Sequence, residues 1–290
     1  MQSIENGMFV REVGAGTAEQ SVGTGQSVGA AAQSAGDSGQ SAGAAPSAAV
    51  STLMFVHGLG ESGLCFEHLL MRPELAPYRL LVPDLPGYGR SVWRFDQPLS
   101  LTELADHLAA WLSDRREPPV TVVGHSMGGV VALLLAEQHP AAVAAVIDVD
   151  GNKSVADCVF SSQAAEHDLA SFMANGFDTL RDVVYRRGRD DPAQRSYYAS
   201  LRLADPRAYH QNSLELLALS RTEDLAVRLA ALSMPKHYIA AVPDGVSVRS
   251  RELLTTAHVP WTAIEPSGHW PFIDQPDAFV TLLARLVVGD

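Results

Sequence analysis

VTVVGHSMGGVVALLLAEQHP, residues 120–140, decides how the rest of the chain is read. A β-branched apolar run from Val120 to Val123 passes through Gly124, His125 and Ser126 to Met127, Gly128 and Gly129. An apolar stretch then follows, closed by Pro140. The run reads as a buried strand and the stretch after the glycines as a helix. A serine in G-x-S-x-G between them sits on a strained strand-to-helix turn that exposes its hydroxyl. Small residues are needed at Gly124 and Gly128, where side chains would collide with the neighbouring strand and helix. The helix N-terminus favours negative charge, and the Met127 N–H becomes a candidate oxyanion donor. Ser126 is the candidate nucleophile.

Two further motifs fit around that serine. HGLGESG (His57 to Gly63) follows the apolar strand LMFV, and its glycines free the backbone to turn, so the Leu59 N–H can point at the same oxyanion. SGHWPFIDQPDAF (Ser267 to Phe279) follows an apolar segment ending near Ile264 and places His269 late in the chain. That is where a base belongs in the order serine, acid, histidine. His57 and His125, beside motif glycines, are expected to orient loops rather than transfer protons.

Apolar runs and amphipathic stretches alternate after Thr52. LMFVHG, RLLVPD, VTVVGH, AAVIDVD and HYIAAVPD read as parallel strands buried on both faces. Ser100 with Glu103 forms a capping box before Leu101, Leu104, Leu108 and Leu112. Such alternation predicts an α/β fold with a mostly parallel, doubly wound sheet. Strand signal vanishes from Asn152 to about Arg228, predicting an inserted helical cap at 152–229 between core segments 50–151 and 230–290. MFVREVG (Met8 to Gly14) reads as a small strand, so residues 1–13 join the core. The Gly/Ala/Ser/Gln tract at 14–49 repeats QSVG and QSAG without apolar positions to stack, and is expected to be a disordered insertion.

Composition narrows the function. The 290 residues are 47% hydrophobic and carry 33 acidic against 21 basic groups, a formal net charge of −12 that disfavours nucleic acid and anionic lipid. Cys65 and Cys158 are too few and too far apart for a disulfide framework and are expected to be reduced. No apolar leader or membrane-length run is present, which predicts a soluble, cytoplasmic protein without membrane partners. No phosphate loop, dinucleotide fingerprint or metal-ligand cluster appears, so neither a cofactor nor a metal is expected.

HGLGESG, DLPGYGRS (Asp84 to Ser91), GHSMGG and SGHW together resemble the α/β-hydrolase family, from about residue 51 to the end. The resemblance implies the α/β-hydrolase fold with a helical cap and a serine nucleophile; serine at 126 sets the chain apart from relatives with aspartate there. For the acid it leaves two positions open. Most members would place it at Asp244, in IAAVPDG, although Ala241 stands where a glycine is usual. A minority place it one strand earlier, at Asp150, and DGNKSVADCVFS (Asp150 to Ser161) resembles a cap-bearing subgroup with its acid before Gly-Asn. Asp150 is preferred and Asp244 is the alternative.

The expected function is cofactor-independent hydrolysis of a small or medium acyl ester, thioester or lactone through an acyl-enzyme, with a small-molecule acyl substrate as partner. The same triad also supports C–C bond hydrolysis and perhydrolase or haloperoxidase chemistry, and a ligand-binding protein without turnover is a further possibility. The cap arginines, interspersed with aspartates, read as a solvated, charge-mixed surface. Phe160, Phe172, Met173 and Phe177 could line an acyl pocket or form the cap's own core.

Overall fold

The computed structural model describes residues 1–15, 51–93 and 99–288. From residue 16 on, the tract at 14–49 lies outside the described residues. Eight strands form one sheet: β1 (Gln2–Glu5), β2 (Met8–Val13), β3 (Thr52–Val56), β4 (Arg79–Pro83), β5 (Val120–His125), β6 (Val143–Val149), β7 (Lys236–Asp244) and β8 (Trp261–Gly268). Their order is β1-β2-β4-β3-β5-β6-β7-β8. The pairs β1/β2 and β2/β4 are antiparallel and all others parallel. All residues of β3 and β5 are buried, which is why these segments read as unbroken apolar runs rather than alternating ones.

The first strand was not anticipated. QSIE has little apolar character, but Asn6 and Gly7 follow it with φ of 50° and 82°, the left-handed pair that a tight hairpin turn needs. The Asn-Gly dipeptide is therefore the sequence signal for β1. β2 pairs on its other edge with β4, and its Met8, Phe9 and Val10 are buried.

The helices are α1 (Leu101–Asp114), α2 (Met127–Gln138), α3 (Val159–Ala165), α4 (Leu169–Ser171), α5 (Phe177–Arg187), α6 (Pro192–Leu201), α7 (Pro206–Arg221), α8 (Leu225–Ala231), α9 (Val248–Thr256), α10 (Pro271–Asp274) and α11 (Pro276–Val288). The Ser100/Glu103 capping box starts α1 as expected: the Glu103 N–H donates to Ser100 Oγ (3.1 Å) and the Ser100 N–H to the Glu103 carboxylate (2.6 Å). Helix α2 is buried around nearly its whole circumference, packed on β5 and β6 and against α1 and α8. Phe55, Phe66, Phe272 and Phe279 make a continuous run of ring contacts that ties β3 to α10 and α11. Helices α3 to α8 all fall between β6 and β7; α8 packs against α2 and α9. Both cysteines are buried and free. Among the described residues no helix is long and apolar enough to cross a membrane.

Candidate active site

Ser126 stands between β5 and α2 with φ 54° and ψ −121°, a conformation that a non-glycine residue holds only where its surroundings impose it. Its N–H donates to the Val149 carbonyl (3.0 Å) and its carbonyl accepts from the Gly129 N–H (2.9 Å), so both neighbours of the turn clamp it. The two motif glycines permit the close approach. A Cβ on Gly128 would lie 2.2 Å from the Val56 carbonyl oxygen of β3, and one on Gly124 would lie 2.3 Å from the Gly128 carbonyl oxygen. Because these are backbone atoms, nothing flexible can yield. Gly128→Ala is expected to cost about 3 kcal/mol or more, a fall in Tm of at least about 6 °C; an unshifted thermal transition would show that β3 and α2 can separate.

Asp150, directly after β6, also has positive φ (50°) and is 1% exposed. Its two oxygens are divided. Oδ2 lies 2.6 Å from His269 Nδ1, while Oδ1 accepts the N–H groups of Ala241 (2.9 Å) and Val246 (3.0 Å). The end of β7 thus contributes backbone donors to the acid of the neighbouring strand. Asp244, at that same end, is exposed, and its carboxylate makes no hydrogen bond or ion pair among the described residues. Asp148 is turned to a different partner: its Oδ2 accepts from Lys153 Nζ (2.7 Å) and its Oδ1 from the Gly151 N–H (3.1 Å). Lys153 is fully buried and also donates to the Gly151 and Asn152 carbonyls (both 3.1 Å), fixing the loop that carries Asp150.

Leu59 lies on the loop after β3, and a Cβ on its neighbour Gly58 would stand 3.0 Å from Ser126 Cβ, so this loop passes against the serine. Met127 opens α2. Gly58, Leu59, Ser126 and His269 line one narrow cleft with Asn152, Phe160, Tyr197 and Trp270. This cleft continues past Phe160, His269 and Trp270 into a cavity of about 540 Å³ bounded by Asp244, Val246 and the α5–α6 turn. Of the four candidate acyl-pocket residues only Phe160 reaches these spaces. Phe172 and Phe177 are buried against Tyr209, and Met173 is 46% exposed. The α5–α6 turn places Arg187, Asp190 and Asp191 along the cavity.

Glu61 escaped sequence analysis. It is 2% exposed and accepts from Gly58 N–H (2.6 Å), His125 Nδ1 (2.9 Å) and Trp270 Nε1 (2.5 Å). Burial pushes its carboxyl up, but the charge and hydrogen bond of His125, with the other two donors, hold it at about 2. His125 Nε2 faces the His269 carbonyl oxygen (2.8 Å), so both its ring nitrogens meet only acceptors and the ring is imidazolium. Burial opposes that charge, and Glu61 overcomes it, raising the His125 pKa. His57 differs: its Nδ1 meets the Gly58 carbonyl (2.9 Å) and its Nε2 accepts the Leu85 N–H (2.9 Å), a neutral ring whose pKa burial lowers. Both rings tie loops together. The signal for Glu61 was HGLGESG itself, where a carboxylate three residues after Gly58 can cap that glycine's N–H.

Among the described residues no group of three or more His, Cys, Asp or Glu side chains could hold a metal ion.

Comparison with known proteins gives a consistent frame. The chain is 30% identical over 253 residues to a pimeloyl-[acyl-carrier protein] methyl ester esterase of Edwardsiella ictaluri, covering 82% of this chain and 93% of that protein. It is also 30% identical over 221 residues to the magnesium-chelatase 30 kDa subunit of Rhodobacter capsulatus, covering 71% and 76%. The enol-lactonase of Burkholderia xenovorans superposes with a TM-score of 0.71 at 16% identity, over 99% of this chain and 100% of that one. The model of the alpha/beta hydrolase family matches residues 53–282. With that match spanning most of its length, the chain belongs to the alpha/beta hydrolase family and is a hydrolase.

Proposed function

We propose that the protein is a cofactor-independent serine hydrolase of a carboxylic ester, thioester or lactone, with Ser126 as nucleophile, His269 as base and Asp150 as the acid. The observation carrying this is that Ser126, on its left-handed turn, and His269, paired at 2.6 Å with a buried Asp150, open on one cleft. The names of the esterase and lactonase relatives support the substrate class.

In this reading Ser126 Oγ attacks the acyl carbon while its proton passes to His269 Nε2. The N–H groups of Leu59 and Met127 stabilise the oxyanion, and the α2 N-terminus adds its dipole. As the tetrahedral adduct collapses, His269 returns the proton to the leaving alkoxide or thiolate. Water then gives a proton to His269 and attacks the acyl-enzyme, releasing the acid and restoring the serine. Asp150 keeps the Nδ1–H tautomer and offsets the imidazolium charge. The helices of residues 152–229 act as the cap in this scheme, with Phe160, Tyr197 and Leu216 over the cleft, and segments 50–151 and 230–290 carry the machinery.

The test is labelling with a fluorophosphonate beside hydrolysis of p-nitrophenyl esters of increasing acyl length. Wild type is expected to label and turn over, and Ser126→Ala to do neither. Folded wild type that resists the probe and leaves every ester intact would remove Ser126 as nucleophile.

A further inference from the structure

Asn152 lines the narrow cleft with Ser126 and His269, is 2% exposed, and has an amide oxygen without a hydrogen-bond partner. Its Nδ2 is directed to Cys158 Sγ (3.5 Å), and its own carbonyl is held by Lys153 Nζ (3.1 Å). The residue is thus anchored on both sides, leaving one acceptor unspent. A buried acceptor without a partner is destabilising, a cost that persists in a site where a ligand supplies the missing donor.

The adjoining cavity has the same bias. Asp150, Asp157, Asp190, Asp191, Asp244 and Asp274 line it against Arg187 and His269. Asp157, Asp191 and Asp274 are occupied by backbone N–H groups, whereas the carboxylates of Asp190 and Asp244 make no hydrogen bond or ion pair among the described residues. Beyond the serine and its N–H donors, Asn152 Oδ1 and the carboxylates of Asp190 and Asp244, unpartnered among the described residues, favour donors and disfavour anions.

We propose that this site selects esters or lactones whose acyl part carries an N–H or O–H donor close to the scissile carbonyl, and that Asn152 Oδ1 receives it. This rests on the hydrolase reading above and adds the substrate class. Asn152 is a specificity residue here: a site built to accept a substrate N–H rejects the analogue without one, because its acceptor is then buried unpaired.

The experiment compares methyl N-acetylglycinate with methyl 4-oxopentanoate, which differ only by CH2 in place of N–H, on wild type, Asn152→Leu and Asn152→Asp. Fluorophosphonate labelling and p-nitrophenyl acetate hydrolysis accompany each. Wild type is expected to favour the N–H ester in kcat/KM by about tenfold or more, the equivalent of 1.4 kcal/mol. Asn152→Leu should bring the ratio near one, and Asn152→Asp, which keeps an acceptor, should retain a preference. A wild-type ratio near one with p-nitrophenyl acetate still hydrolysed overturns the proposal and leaves the hydrolase reading standing. A preference that survives Asn152→Leu also overturns it, and absence of both labelling and hydrolysis removes the hydrolase reading itself.

Discussion

Asp150→Asn is expected to lower kcat for p-nitrophenyl acetate by about 10⁴-fold, the cost of holding the base in the wrong tautomer. The surroundings dictate which way the new amide points. Ala241 and Val246 both aim N–H groups at the position of Oδ1, so the amide oxygen must stay there. The NH2 then takes the place of Oδ2, facing His269 Nδ1. That nitrogen must become the acceptor, which moves the ring proton to Nε2, where it can no longer take a proton from Ser126. Asp244→Asn is expected to keep most of the rate, since its exposed carboxylate meets neither His269 nor any other partner among the described residues. Steady-state kinetics on protein titrated for active serine decides between them. A loss that follows Asp244, or an Asp150→Asn variant within tenfold of wild type, would reverse the assignment.

The choice between the two acids shows where the sequence stops informing. The central strands, the glycine turn at Ser126 and the first long helix were legible because each is encoded locally: β5 and β3 as apolar runs, the turn as glycines that admit backbone at 2.2–2.3 Å, α1 as a capping box. The Asp150–His269 pairing depends on how the end of β7 wraps a carboxylate that follows β6, through N–H groups about ninety residues away in sequence. Resemblance could rank Asp150 over Asp244; only the arrangement in space displays the contact with His269. The same holds for Lys153, whose burial beside Asp148 no periodicity announces, and for Phe172 and Phe177, whose spacing fits a cap core and an acyl pocket equally well. β1 was missed because four weakly apolar residues outweighed the Asn-Gly turn after them.

Glu61→Gln is expected to destabilise the protein by about 3–5 kcal/mol, a Tm loss of about 6–12 °C, although residue 61 is not proposed to touch substrate. An amide at position 61 has one accepting end, while donors approach both carboxylate oxygens: Trp270 Nε1 at Oε1, Gly58 N–H and His125 Nδ1 at Oε2. Whichever way the amide turns, an NH2 faces an N–H, and the His125 imidazolium loses its buried counter-charge. The effect should depend on pH in a definite sense. Glu61 falls from an ordinary 4.5 to about 2, so its contribution is complete above about 4.5 and is lost as pH drops toward 2. His125 is raised above 6.5, so its contribution is complete below 6.5 and is lost as pH climbs through the raised value. The stability gap between wild type and Glu61→Gln should therefore be widest between about pH 4.5 and 6.5 and close toward acid. Thermal unfolding across that range measures it, and the double variant Glu61→Gln/His125→Gln should be less destabilised than the two single losses added together. Additive losses, or a gap that does not vary with pH, would mean that the pair is not a charged unit. If it is one, catalysis falls with it, because the same two side chains hold the Gly58 loop beside Ser126, the backbone carbonyl of His269 and the indole of Trp270. The order of the site then rests on a charge pair beneath it as well as on the groups that meet substrate.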